Sequence, residues 1–196
     1  GQSSSTHGYS SGGESPAKVN TIDKFSFATD GNATDVGDMT VARSTCSGQS
    51  STTHGYSSGG FIEPPNSNII EKFSFTTDGN ATDVGDITVG RYGNAGQSST
   101  THGYSSGGAI TNTRVNVIDK FTFASDSNAT DVGDLTGVNV YGAGQSSTTH
   151  GYTSGGLGSS GPVTNIIEKF SFTTDGNGTD VGDITVANYG PAGTQV

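Results

Sequence analysis

The block GQSSTTHGYSSGG recurs four times in this chain with at most one change per copy, and its surroundings recur in the same order. Its histidines, His7, His54, His102 and His150, follow one another at 47, 48 and 48 residues. Each block leads through a variable stretch to an apolar run such as NIIEKFSF, then to NATDVGDIT. Four copies account for all 196 residues as one repeat domain, with units at about 1–47, 48–95, 96–143 and 144–196. A period of about 40–50 residues is the length of one supersecondary unit that buries its apolar face against the next copy.

Within a unit the pattern is β. Gly, Ser, Thr, Asn and Asp dominate, all poor in helix interiors, and no 3.6-residue apolar period runs for long. Only 29% of residues are hydrophobic and 32 are Gly, a composition of disorder if the apolar residues were scattered. They return in register instead. In the second copy, Gln49–Thr52 reads as a short strand and Thr53-His54-Gly55 as a tight turn in which Gly55 supplies a positive φ. Tyr56–Ser58 reads as the return strand, stopped by Gly59-Gly60. Asn68–Phe75 is the strongest strand, with Ile69, Phe73 and Phe75 on one face and Ile70 on the other, as in a sheet covered on both sides. Asp83–Val89 is a fourth strand whose Val84, Ile87 and Val89 are expected to point inward.

Charge and cysteine content exclude several partners. The net charge is −10, and eight Lys and Arg are spread along the chain, so nucleic acid and anionic membranes find no basic patch. Cys46 stands alone, which rules out an internal disulfide and a cysteine metal cluster. No segment is apolar enough to span a bilayer. The chain starts at Gly1 without Met, as expected of a processed or partial product.

The order of signals resembles a kelch repeat: a hairpin ending in a Gly doublet (Gly12-Gly13, Gly59-Gly60, Gly107-Gly108, Gly155-Gly156), a variable loop, a strand such as Ile70-Glu71-Lys72-Phe73 with counterparts ending in Phe25, Phe121 and Phe170, a polar turn, a Val84-Gly85-Asp86-Ile87-type strand, and an Arg. Arg43 and Arg91 match that Arg, whereas the third and fourth copies lack it. The chain has no Trp; Ala33, Ala81, Ala129 and Gly178 lie near the family's Trp position. The THGYSSGG-type array is also similar to the kelch-like repeat proteins of aquatic bacteriophages and environmental bacteria, which implies a virion or cell-surface role. The resemblance implies an all-β propeller of four four-stranded blades. It would be a closed four-bladed ring held by side-chain packing, an arc completed by another chain, or part of a larger array. Because the inner hairpin is Ser, Thr and Gly, blades are expected to be thin near the axis, with packing concentrated on strands three and four.

Four sets of residues are candidates for chemistry. Histidines on equivalent hairpins of a ring could face a shared metal ion, but polar residues at turns have ordinary local reasons. Asp78, Asn80, Thr82 and Asp86 partly resemble a calcium loop, without its central Gly and terminal Glu; Asp-Gly-Asn is also common turn chemistry. Asn32, Asn80, Asn128 and Asn177 head Asn-x-Thr sequons and are candidate glycosylation sites. Tyr9, Tyr56, Tyr104 and Tyr152 are candidates for one sugar site per blade. No residue stands apart from the repeat as a nucleophile or acid–base pair would, so the chain is read as a non-enzyme.

The expected role is that of a structural or recognition module, extracellular or on a virion surface, such as a tail fibre, adhesin or filament. A carbohydrate-binding propeller is the alternative. Expected partners are other protein subunits, including further copies of the chain, or cell-surface glycans. No cofactor is expected beyond a possible calcium ion. The recognition surface is expected in the variable loops, Glu14–Val19, Phe61–Ser67, Ala109–Val115 and Leu157–Thr164, through Phe61, Ile62, Glu63, Ile110, Arg114 and Leu157. Phe61 and Ile62 are expected to be exposed apolar contacts.

Overall fold

A computed structural model describes residues 1–63, 66–159, 161–190 and 193. These residues contain strands and no helix. Each repeat folds into one four-stranded antiparallel sheet in sequence order. Sheet one comprises β1 (Gln2–Ser3), β2 (His7–Glu14), β3 (Lys18–Ser26) and β4 (Thr34–Asp38). Sheet two comprises β5 (Ser47–Ser50), β6 (His54–Ser58), β7 (Ile69–Ser74) and β8 (Thr82–Asp86). Sheet three has β9 (Ala95–Ser98) and β10 (His102–Ser106), then a small separate hairpin of β11 (Ala109–Ile110) and β12 (Thr113–Arg114), then β13 (Val117–Thr122) and β14 (Thr130–Asp134). Sheet four comprises β15 (Ala143–Ser146), β16 (His150–Ser154), β17 (Ile166–Ser171) and β18 (Thr179–Asp183).

The inner hairpin closes on a serine rather than on a glycine. Ser51 Oγ accepts from the His54 amide at 3.0 Å and the Ser51 amide donates to the His54 carbonyl at 2.9 Å. His54 is therefore the first residue of the return strand, not the turn. The expected positive φ at Gly55 is also absent. Glycine is required there because the Phe73 ring lies where a Cβ would stand. The doublet Gly59-Gly60 does need glycine conformations, with φ of 66° and 116° that free the chain from the sheet.

Three hydrophobic clusters join successive sheets. Tyr9, Ile22 and Met39 of the first repeat pack on Phe73 and Ala81 of the second. Tyr56, Ile70 and Ile87 pack on Phe121 and Ala129. Tyr104, Ile118 and Leu135 pack on Phe170. Each central sheet thus uses both faces, as Ile70 and Phe73 on opposite sides of β7 anticipate. Ile87 is buried and Val84 half-buried, but Val89 is 41% exposed and corrects the inward expectation, because the chain has left the sheet after Asp86.

The inner strands are close-packed too, which corrects the expectation of thin inner edges. Glycines 1, 48, 96 and 144 sit back to back, each lying where a Cβ on the next would strike the preceding carbonyl. Buried glutamines stitch neighbours together. Gln2, Gln49 and Gln97 donate to the carbonyls of Tyr56, Tyr104 and Tyr152 at 2.7, 2.9 and 3.0 Å. Buried amides and hydroxyls that satisfy one another this way cost little and fix the register of neighbouring units.

Among the described residues, no hydrophobic cluster or hydrogen bond joins sheet four to sheet one. Phe25 is 42% exposed, whereas its counterparts Phe73, Phe121 and Phe170 are at most 4% exposed, and Phe27 is 57% exposed where Phe75, Phe123 and Phe172 are half-buried. The observed architecture is four antiparallel sheets, each packed face to face on the next, with the inner strands and turns of all four lining shared cavities.

Candidate recognition surface

The variable loops are tied to the frame at one end and to each other along their length. Loops two, three and four each begin with a bridge back to the segment leaving the preceding sheet: Ser44 with Phe61, Tyr92 with Ala109, Val140 with Leu157. Loop one extends β2 and β3 as a hairpin, and Lys18 on it pairs with Glu63 of loop two at 3.1 Å. The Lys18 ammonium also lies 4.5 Å from the centre of the Phe61 ring. Tyr92 donates through its hydroxyl to the Thr111 carbonyl at 3.0 Å, and Arg114 donates to the carbonyl of Gly158 in loop four. The loops therefore form one continuous band.

A row of aromatic rings runs beside that band. Phe61 stands edge-on to Tyr92 at 5.6 Å, and Tyr92 lies 6.0 Å from Tyr141. All three are half-buried. Phe61 and Ile62 are thus not free apolar contacts: the bridge to Ser44 draws Phe61 onto the frame, and Ile62 is half-buried beside it. Glu63 is exposed, while Ile110, Arg114 and Leu157 are half-buried. Pro64 and Pro65 of loop two and Ser160 of loop four lie outside the described residues. Sequence reasoning missed Tyr92 and Tyr141, which fall just after each repeat's last strand and so look like linker.

The four candidate tyrosines have another task. Tyr9, Tyr56 and Tyr104 are buried, each 4.7–4.8 Å from the stacked ring of Phe75, Phe123 or Phe172 in the next sheet. Burial pushes the Tyr104 phenol up to about 12. These rings have no face for a sugar. Tyr152, in the last sheet, is half-buried.

Each histidine binds its own turn, with Nδ1 2.8–2.9 Å from the hydroxyl of the preceding threonine. Burial, reinforced by Lys72 and Lys120, holds His54 and His102 below the ordinary imidazole value. The Asp-Gly-Asn turns face the preceding sheet. Asp78 pairs with Lys24 at 2.5 Å, and Asn80 Oδ1 accepts from the Asp38 amide at 3.0 Å. Thr82 opens β8 and Asp86 closes it, and the Asp86 amide donates to Asn128 Oδ1 at 3.1 Å. Asn32, Asn80, Asn128 and Asn177 are all exposed. Among the described residues, no three His, Cys, Asp or Glu side chains come together as a group able to hold a metal ion.

Between the sheets lie buried ion pairs that the sequence hid. Arg43 meets Glu71 at 2.7 Å and Arg91 meets Asp119 at 2.8 Å, with all four side chains fully buried. The third joint has Asn139 in place of the arginine, and its amide donates to the Gly155 carbonyl at 2.8 Å. Glu168 remains there, buried beside a cavity of about 240 Å³ lined also by Thr136, Val138 and Asn139. The Thr136 amide donates to it at 2.6 Å, yet burial still raises its carboxyl above the usual range. The matching Lys72–Asp126 and Lys120–Asp175 pairs, at 2.6 and 2.5 Å, complete the joints.

No protein-family model and no curated protein matches the chain.

Proposed function

We propose that the chain is a non-enzymatic recognition and structural module, built as a kelch-like β-propeller or an arc of one and displayed outside a cell or on a virion. The observation that carries this reading is the division of labour along the repeat. The residues common to the copies enter sheets, joints and turns, whereas the segments that differ between copies lie together in one band. A frame held constant under a continuous variable surface is the arrangement of a binding scaffold. The repeated Ser, His and Asp side chains serve turns and joints, which supports a role without catalysis.

The aromatic row of Phe61, Tyr92 and Tyr141 favours a second reading, carbohydrate binding, because half-exposed rings beside polar loops suit the apolar face of a sugar. The site would lie on this row and not on the repeated tyrosines. The test is binding of the purified chain to glycan arrays and to intact cells, alongside a variant with residues 109–115 and 157–164 replaced by Gly-Ser linkers. Loss of binding with an unchanged melting curve supports the loop band. Binding that survives the replacement overturns it. Loss confined to glycans in Tyr92→Ala selects the carbohydrate reading.

A further inference from the structure

The two end sheets carry the two halves of the joint that is built three times inside the molecule. Sheet four presents the half that every internal joint draws from its preceding sheet. Among the described residues, Tyr152 has no phenylalanine over it and Lys169 has no acid, although Lys24, Lys72 and Lys120 each have one from the following repeat. The inner edge of this sheet is the exception, since Gly193 of the same chain lies against Gly144 as Gly48 lies against Gly1, so the open part of the face lies outward of it. Gly182 faces open space where its counterparts Gly37, Gly85 and Gly133 lie against the next repeat's polar turn.

Sheet one presents the complementary half. Phe25 and Phe27 are exposed, and among the described residues Asp30 and Asn32 have no partner, although their counterparts bind a lysine and an aspartate amide in every internal joint. Phe25 and Phe27 border a cavity of about 650 Å³ that the inner strands of the other three sheets also line, through residues such as Gly48, Gly96 and Gly144, together with Gly193. Both faces carry exposed apolar surface, which a soluble monomer has reason to cover.

We infer that the outer part of the face of sheet four, from Tyr152 to β18, docks on the face of sheet one of a second copy of this chain, repeating that part of the internal joint between molecules, while the inner edge at Gly144 is kept by Gly193 of the same chain. The inference rests on the structural reading above and names the partner. Tyr152 would stack on Phe27 and Lys169 would meet Asp30, as the counterparts of each already do within the chain. Such a contact joins unlike faces, so it propagates as a ring or a filament and does not stop at a two-fold dimer of like faces.

The test uses sedimentation of the full chain over a wide concentration range, with Phe27→Glu blocking one face and Val181→Glu the other. Both positions are exposed, so circular dichroism and melting should match the wild type. The wild-type mass is expected to rise with concentration, and each variant alone is expected to stay monomeric, with association weakened at least tenfold. An equimolar mixture of the two variants retains one good pair of faces and is expected to stop at a one-to-one dimer. A wild type that stays monomeric at every concentration overturns the proposal. So does association that only one of the variants abolishes, or a mixture that fails to pair. Because the loops lie away from both substitutions, loop binding by the variants tests the recognition reading separately.

Discussion

Arg43 and Arg91 each lie fully buried against one carboxylate, while Glu168 lies buried with no arginine at all. Removing one partner of a buried pair leaves an uncompensated charge, at a cost of about 3–5 kcal/mol. Glu71→Gln is therefore expected to lower stability by that amount in urea unfolding, more than any exposed substitution. Glu168 calls for the opposite change. Its folded carboxyl holds a proton to higher pH than the unfolded chain does, so the native state binds more protons than the unfolded one in that window. Stability then falls as pH rises from the ordinary carboxylate value through the raised one, and the cost is complete at neutral pH. Glu168→Gln is expected to raise stability at pH 7 by about 1–2 kcal/mol, the scale of a buried polar group without a full set of partners. The gain should shrink as pH falls and vanish near pH 3, below the ordinary carboxylate value, where both states are protonated. Asn139→Arg should also stabilise at pH 7, by placing a guanidinium in the cavity beside that carboxyl. Melting curves of both variants across this range check the sign.

At the scale of the element, the hairpin β5–β6 shows how a strand pair of Ser, Thr, Gly and Gln packs as tightly as an apolar one. Its glycines admit a phenyl ring on one side and a neighbouring backbone on the other. Gly55→Ala forces a methyl group into the Phe73 ring and is expected to cost about 1–3 kcal/mol, the usual penalty of overpacking a filled core. The same substitution at Gly31, which has open space around it, should cost far less; equilibrium unfolding of the pair separates close approach from a general dislike of alanine. The strands themselves were legible. The alternation in β7 and the Gly doublets placed the first three strands within a residue or two, while the fourth, read as far as Val89, ends at Asp86. The tight inner packing was not legible, since Gln49 reads as a surface residue until the neighbouring copy brings the Tyr104 carbonyl to it. Val89 misled for the same reason in reverse: an apolar residue in phase with a strand is buried only if the strand continues.

For the whole molecule, stability should grade from the middle outward. Sheets two and three are covered on both sides, whereas sheets one and four each leave a face open, and in repeat arrays stability is set by nearest-neighbour joints. Amide exchange is expected to be slowest in β6, β7, β10 and β13 and faster in β3 and β17, measured by mass spectrometry at low concentration. Uniform protection across the four sheets would mean that the end faces are covered. The candidate site was legible at this scale as well, because the loops are where the copies disagree. Their union into one band was not, since Lys18 with Glu63 and Arg114 with Gly158 are contacts between repeats that share no local signal.

The sequence by itself determined the unit: its length, its four antiparallel strands, the glycines that end them and the apolar faces on both sides. These follow from local conformational preference and from periodicity, which each copy carries alone. The tertiary structure decided what the units do to one another. It chose which polar residues are buried, which carboxylate lacks its cation, and which two faces remain open. Those outcomes depend on the angle and register at which one sheet meets the next, and no single repeat encodes them without its neighbour.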